Sequence, residues 1–162
     1  MSDDRGQFLG KWVKLLICLG VVLFIGTFEG IATRHSVSDW YSTLIKPSGT
    51  PPNWVFPVVW TILYVLIALA WWLVWIAPTS DKHLAYTAFA FQLFLNFLWS
   101  WLFFYYERPL LGLIDIIALL AAIIVTIVAF KKHSALAAIL LVPYLIWVTY
   151  AARLNFLVWL YN

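Results

Sequence analysis

Aromatic and amide side chains recur at helical spacing inside long apolar stretches of this sequence. Trp60 and Tyr64 share one helical stripe, and Gln92, Asn96 and Trp99 share another. An amide in hydrocarbon needs a hydrogen-bond partner, and a flat indole ring is suited to stacking on a flat conjugated ligand. Interhelical packing is the alternative for any single residue, but the set favours an aromatic cavity with a few polar groups, as in small-molecule sites.

The last apolar stretch carries a third stripe of the same kind. Its members are Pro143, Trp147, Tyr150, Ala151 and Leu154. Trp60, Trp99 and Trp147 lie too far from the ends of their stretches to serve as interfacial anchors. These three tryptophans are therefore expected to line the cavity.

Three ionisable residues fall inside the apolar stretches. At 1.5 Å of rise per residue, Glu29, Asp115 and Arg153 all lie within roughly 10 Å of the same membrane face. A charge in hydrocarbon is costly, so such residues usually face a cavity or pair with one another. We expect Arg153 to be neutralised by Glu29 or Asp115. The alternative is that all three extend to the interface.

Composition fixes the elements that position these residues. The chain has 162 residues, of which 65% are hydrophobic and only 10% are charged. Soluble domains carry about 25% charged residues, so the natural solvent of this chain is lipid. A helix needs roughly 20 apolar residues to cross the hydrocarbon core. The predicted fold is all-α: a single domain, 1–162, with five membrane-spanning helices and a structured first loop as a lid.

Helix bounds follow from the apolar runs, with prolines placed near helix starts. The predicted helices are 12–33, 53–77, 83–105, 109–130 and 134–160, and the lid loop is 34–52. Pro143 predicts a kink in the last helix. A short amphipathic turn near Asp39 is expected to bring Trp40 and Leu44 to one side of the lid. The predicted fourth helix has a small and polar side made of Gly112, Asp115, Leu119, Ala122 and Thr126.

Basic residues predict the orientation. The N-terminal side holds Arg5, Lys11, Lys14, Lys82, Lys131 and Lys132, whereas the opposite side holds Arg34, Lys46 and Arg108. The positive-inside rule then places the N-terminus in the cytoplasm and the first loop on the other face. The basic residues form no run, so we expect no nucleic-acid partner. A bacterial cell membrane is the expected location.

Signals of a conventional enzyme are missing from the sequence. It has no glycine-rich phosphate loop, no metal-ligand spacing and no nucleophile, base and acid set. Cys18 is the single cysteine, so neither a disulfide nor a thiolate cluster is expected. His35, His83 and His133 fall at helix ends and are expected to be solvated. We therefore predict no metal and no required cofactor.

The first loop carries the most specific motifs. W-Y-x-x-L-x-K-P begins at Trp40, P-P-x-W-x-F at Pro51, and V-W-x-x-L-Y at Val59. With these motifs, over about residues 20–162, the chain resembles the TspO/MBR family, which comprises tryptophan-rich sensory proteins and translocator proteins, or peripheral-type benzodiazepine receptors. The resemblance implies five membrane helices, often a homodimer in the lipid bilayer, and a pocket beneath the first loop that binds porphyrins such as protoporphyrin IX.

The family's pocket residues match positions in this sequence. They are Trp40, Tyr41, Trp60, Tyr64, Gln92, Asn96, Trp147 and Ala151, to which the helical stripes add Trp99 and Tyr150. Trp60 and Trp147 would be the pair linked to porphyrin chemistry, and so the candidates for any catalytic role. Animal members bind cholesterol, but Phe156 and Leu160 replace the tyrosine and arginine of the sterol motif. A sterol is therefore the least expected partner.

Three functions remain open at this point. The first is a receptor or sensor that binds porphyrin and acts in tetrapyrrole regulation or the stress response. The second is light- and oxygen-dependent porphyrin degradation, which would rest on tryptophan photochemistry rather than on a conventional enzyme site. The third is a transporter of tetrapyrroles or sterols, for which the sequence lacks an inverted repeat.

Overall fold

The structure is a computed structural model, and it confirms the all-helical membrane fold. It describes the backbone of residues 2–162 and the side chains of residues 9–34 and 36–162. Arg5 and His35, which enter the orientation and solvation predictions, lie outside the described side chains. Five helices are long and apolar enough to cross a membrane. The protein is therefore an integral, multi-pass membrane protein.

Seven α-helices form the described chain. They are α1 (Ser2–Val37), α2 (Trp40–Thr43), α3 (Val55–Ile76), α4 (His83–Ser100), α5 (Pro109–Lys131), α6 (Ala135–Leu140) and α7 (Val142–Tyr161). A π-helical turn, Trp101–Tyr105, continues α4. Pro109 lies in the first turn of α5, where its missing N–H costs no hydrogen bond. The five spans are α1, α3, α4 with the π-helical turn, α5, and α6 together with α7.

Two predicted bounds need correction. The first helix was predicted to end at residue 33, but α1 continues to Val37, so the lid is shorter than 34–52. The last helix was predicted as one kinked element. It is instead broken at Leu141, and Pro143 lies in the first turn of α7, where proline fits better than in a helix interior. The predicted amphipathic turn of the lid is the short helix α2.

The spans form a closed ring. Around it, α1 packs on α3, α3 on α6, α6 and α7 on α5, α5 on α4, and α4 with its π-helical turn on α1. The predicted small and polar side of α5 faces inward, since all five of its residues are buried. Helices adjacent in this ring are not all adjacent in sequence, and this arrangement decides which polar side chains meet.

Candidate functional site

A buried carboxylate connects three helices. Glu29 on α1 is 4% exposed. Its carboxylate accepts a hydrogen bond from the Tyr64 hydroxyl at 2.5 Å, from the Ser100 hydroxyl at 3.2 Å and from the Asn96 amide at 3.4 Å. Asn96 also donates to the Tyr64 oxygen at 3.5 Å. An ionised carboxylate only accepts hydrogen bonds, and these three donors satisfy it without a cation.

The Tyr64 ring lies directly against the backbone of α1. A Cβ atom added at Gly26 would lie 2.5 Å from Tyr64 Cε2 and 2.6 Å from Cδ2. Only glycine at this position permits such an approach. At Gly30, one turn further along α1, an added Cβ would meet nothing within 4 Å. The close helix contact therefore depends on Gly26 alone.

An aromatic cluster extends from Tyr64 toward α7. Trp60 stacks on Tyr64 with ring centroids 5.5 Å apart, and it meets Tyr144 edge-on at 6.3 Å. The fully buried Tyr144 hydroxyl donates to Gln92 Oε1 at 3.0 Å. Trp60 itself is half-buried. The predicted residues Trp60, Tyr64, Gln92 and Asn96 are thus linked in one group, the inner cluster.

The lid is fixed to this end of the bundle by side chains of α7. Trp147 packs edge-on against Phe56 at 6.0 Å and contacts Tyr150 at 5.8 Å. The Tyr150 hydroxyl donates to the carbonyl of Gly49, a residue held at φ +86°. At the chain end, Asn162 Oδ1 accepts from the backbone N–H of Ile45 at 3.0 Å. The middle of the lid is therefore attached to α7 at two points, Ile45 and Gly49.

A second group, the outer cluster, forms around Phe103. Trp40 and Tyr41 from the lid pack on Phe103 at 5.7 and 6.4 Å, and Trp99 stacks on it at 5.5 Å. The Trp99 indole donates to Asn155 Oδ1 at 3.1 Å. These contacts bring three predicted site residues together as packing between the lid, the π-helical turn and α7.

Tyr41 is the titratable lid residue of the outer cluster. It is 6% exposed, and the ammonium of Lys46 lies 4.8 Å from its ring centroid. Burial, reinforced by the nearby Tyr150, raises the pKa of Tyr41 above its usual 10.0. The phenol of Tyr41 therefore loses its proton only at a higher pH than an exposed tyrosine does.

Buried polar atoms of the inner cluster and of Trp147 lack a hydrogen-bond partner among the described residues. They are Gln92 Nε2, Asn96 Oδ1 and Trp147 Nε1. Buried polar groups are normally satisfied, so each unpaired atom calls for an explanation. Two are donors and one is an acceptor, and all three belong to predicted site residues. This arrangement suits an organic ligand with both acceptor and donor atoms.

A pocket of about 740 Å³ lies outside the inner cluster. It is bordered by Trp40 and Leu44 of the lid, by Arg108 and Leu111 at the start of α5, and by Trp159 near the end of α7. Of the predicted site residues, only Trp40 borders it. The pocket therefore shares only Trp40 with the predicted ligand site.

Comparison with known proteins agrees with the helices and the lid. The model of the TspO/MBR family matches residues 18–160. This chain belongs to the TspO/MBR family. The tryptophan-rich protein TspO of Archaeoglobus fulgidus is 45% identical over 150 residues, covering 93% of this chain and 97% of that protein. The translocator protein of Homo sapiens is 36% identical over 142 residues, covering 83% and 82%.

A TspO/MBR relative from a third organism is of similar length. The tryptophan-rich protein TspO of Chlorobaculum tepidum is 42% identical over 148 residues, covering 89% of this chain and 92% of that protein. The family model alone covers the chain from within the first span, at residue 18, to residue 160 near the end of α7. Sequence alone had indicated this family from the motifs that begin at Trp40, Pro51 and Val59, and the family is confirmed.

The predicted pairing of Arg153 with a carboxylate is wrong. Arg153 is exposed, and no ion pair joins it to Glu29 or Asp115 among the described residues. The hydroxyl groups of Tyr64 and Ser100, rather than a cation, donate hydrogen bonds to the Glu29 carboxyl group. Asp115 is 6% exposed, and its Oδ2 has no partner. Both carboxyl groups are therefore buried without a cation among the described residues, and hydrogen-bond donors surround Glu29.

The stripe predicted for the last helix is only partly correct. Ala151 and Leu154 are buried, but Pro143 is exposed and Trp147 and Tyr150 are half-buried. The break at Leu141 resets the helix. The residues that α7 buries are Tyr144, Val148, Ala151, Leu154, Asn155 and Val158. The buried face of α7 is therefore shifted by about one residue toward the C-terminus from the predicted stripe.

Sequence reasoning missed two residues of the site. Tyr144 holds Gln92 and touches Trp60, and Phe56 packs on Trp147. A signal was present for both. Tyr144 lies four residues before Val148 and seven before Ala151, and Phe56 ends the second lid motif. Neither residue could be told apart from an ordinary packing residue, because helical spacing does not show which side chains of the neighbouring helix it will contact.

Proposed function

We propose that this TspO/MBR protein is a membrane receptor or sensor that binds porphyrins of the protoporphyrin IX class at the inner cluster beneath the lid. Related flat, hydrophobic ligands would bind in the same place. Its role would be in tetrapyrrole regulation or the stress response. One of the similar proteins is named tryptophan-rich sensory protein, from Cereibacter sphaeroides, and it is 41% identical over 118 residues.

The unpaired polar atoms of the inner cluster are the observation that carries this proposal. Gln92 is 1% exposed and Asn96 is fully buried, yet each keeps one side-chain atom without a partner. The indole N–H of Trp147 is unpaired as well. A porphyrin carries propionate carboxylates, which accept hydrogen bonds and so suit the two unpaired donors, and it has a flat conjugated ring. The half-buried rings of Trp60 and Trp147 supply stacking surfaces.

The lid supports the same proposal. Two hydrogen bonds hold the middle of the lid, Tyr150 to Gly49 and Asn162 to Ile45, in addition to the packing of Trp40 and Tyr41 on Phe103. Hydrogen bonds of this kind contribute about 1 kcal/mol each to stability. Breaking them is therefore a small cost for a ligand that gains a large aromatic contact.

Quenching of tryptophan fluorescence in the dark tests the proposal. The purified protein in detergent is titrated with protoporphyrin IX, and the half-saturation concentration is compared between wild type, Trp147→Phe and Trp159→Phe. Trp159 is the matched control because it lies on the same helix, is 42% exposed and belongs to neither cluster. Losing the indole face and its N–H is expected to weaken binding about 3- to 10-fold.

The outcomes separate the two interpretations of the aromatic stripes. Saturable quenching that Trp147→Phe weakens and Trp159→Phe leaves unchanged supports the site. Non-saturable quenching, or equal half-saturation in all three proteins, assigns the stripes to helix packing and removes the porphyrin proposal.

A further inference from the structure

Two features of Tyr64 suit one-electron chemistry. Its hydroxyl donates to Glu29 Oε2 at 2.5 Å, and both residues are buried. A phenol gives up an electron readily only when its proton has an acceptor within hydrogen-bond reach. A carboxylate at this distance meets the geometric condition for a general base.

The second feature is the stack between Tyr64 and Trp60. The ring centroids are 5.5 Å apart, and the planes are inclined by only 25°. Such an overlap is suited to electron transfer between two rings. Trp60 is half-buried, whereas Tyr64 is 6% exposed. The order from the site inward is therefore indole, phenol, carboxylate.

Tyr144 provides an internal contrast. It also touches Trp60, with centroids 6.3 Å apart, and it is fully buried. Its hydroxyl donates to an amide oxygen of Gln92, which is a poor base. Two tyrosines thus contact the same tryptophan, but only Tyr64 has a group that accepts its proton.

We infer that Trp60, Tyr64 and Glu29 form a path for one-electron oxidation, in which Glu29 accepts the proton of Tyr64. The inference rests on the proposed function because the oxidant is a photoexcited tetrapyrrole bound beside Trp60. The excited tetrapyrrole takes one electron from Trp60 and passes it to dioxygen, which becomes superoxide.

Tyr64 completes the sequence by reducing the Trp60 radical cation. Its O–H bond breaks as the electron leaves, and the proton goes to the Glu29 carboxylate. The products are a neutral tyrosyl radical, a neutral carboxylic acid, superoxide and the ground-state tetrapyrrole, so charge and atoms balance. Ser100 and Asn96 also donate to Glu29 and hold the carboxylate at the phenol during the transfer. The path transfers the unpaired electron from Trp60, which contacts the ligand, to the buried Tyr64.

The test uses the full chain in detergent and an oxidant that needs no porphyrin. A flash generates the ruthenium(III) tris-bipyridine ion with persulfate as electron acceptor. Tyrosyl radicals are followed by absorbance and, after freezing, by electron paramagnetic resonance. The proteins are wild type, Tyr64→Phe, Tyr144→Phe and Glu29→Gln, each first shown to keep its helical circular dichroism.

The expected result distinguishes the two tyrosines. Tyr64→Phe removes the buried tyrosyl radical, while Tyr144→Phe retains it. Glu29→Gln keeps an acceptor oxygen but not a base, so tyrosyl formation slows by about 10²-fold. In wild type, formation is slower in D₂O than in H₂O because the proton moves with the electron. If Glu29 only supported the fold, Glu29→Gln would leave the ratio of the rates in H₂O and D₂O at its wild-type value.

Each contrary result overturns the path. An unchanged radical in Tyr64→Phe, or an unchanged rate in a folded Glu29→Gln, removes Tyr64 or Glu29 from it. If Glu29→Gln does not fold, the wild type provides the test. Equal rates of tyrosyl formation in H₂O and D₂O would remove Glu29 from the path. A second series replaces the ruthenium ion with illuminated protoporphyrin IX. If the ruthenium ion produces a Tyr64 radical and illuminated protoporphyrin IX does not, the electron path stands and the proposed porphyrin binding is wrong.

Discussion

Replacing Gly26 by alanine should destabilise the bundle, although glycine is usually the poorer helix residue. The new Cβ would lie 2.5 and 2.6 Å from two ring carbons of Tyr64. Carbon atoms normally approach to about 3.5 Å, so the ring has to move by about 1 Å. The Glu29 hydrogen bond and the Trp60 stack hold that ring on the other side.

The magnitude follows from two opposing effects. Overpacking a tight contact costs about 1–3 kcal/mol, and alanine in a helix gains about 0.5–1 kcal/mol over glycine. We expect Gly26→Ala to lose about 1–2 kcal/mol of unfolding free energy, with most of the loss at the Tyr64 to Glu29 contact. Gly30→Ala, one turn away with nothing within 4 Å of its Cβ, should gain up to about 1 kcal/mol.

Thermal unfolding in detergent, followed by circular dichroism, measures both variants against wild type. The midpoint should fall for Gly26→Ala and stay equal or rise for Gly30→Ala. The same two proteins are titrated with protoporphyrin IX, and only Gly26→Ala should bind more weakly because its Tyr64 is displaced. Midpoints that move together would refute the close contact between α1 and α3.

Three further predictions concern the lid and the base of α7. Tyr150→Phe loses the hydrogen bond to the Gly49 carbonyl, about 1 kcal/mol, so amide exchange in the lid should rise about 5-fold while exchange in α5 stays unchanged. Asn155→Leu leaves the Trp99 indole N–H unpaired and should lower the free energy of unfolding by about 1–2 kcal/mol. The control Asn53→Leu, at an exposed position, should not lower it, and equal thermal midpoints for the two variants would contradict the prediction. The raised pKa of Tyr41 means that the folded lid keeps its proton while the unfolded chain loses it, so stability is lost as the pH rises above 10.0. Melting curves on both sides of that pH should show a steeper loss in wild type than in Tyr41→Phe.

The spans and the family could be predicted from sequence because both depend on local properties. An apolar run long enough to cross a bilayer must form a helix, since lipid leaves no other way to satisfy its backbone. Glu29 falls inside an apolar stretch and is buried, and the motifs of the lid are contiguous in the chain. The short helix at Trp40 was foreseen from its amphipathic spacing.

Only the tertiary structure decided how the buried charges are satisfied. The ring order places α1 between α3 and α4, so Glu29 meets Tyr64 and Ser100 rather than Arg153, which the packing leaves exposed. The break at Leu141 changes the rotation of α7 and brings Tyr144 inward. Spacing along a helix determines which residues share a face. It does not determine which helix that face meets or at what rotation, because these depend on the packing of all five spans together.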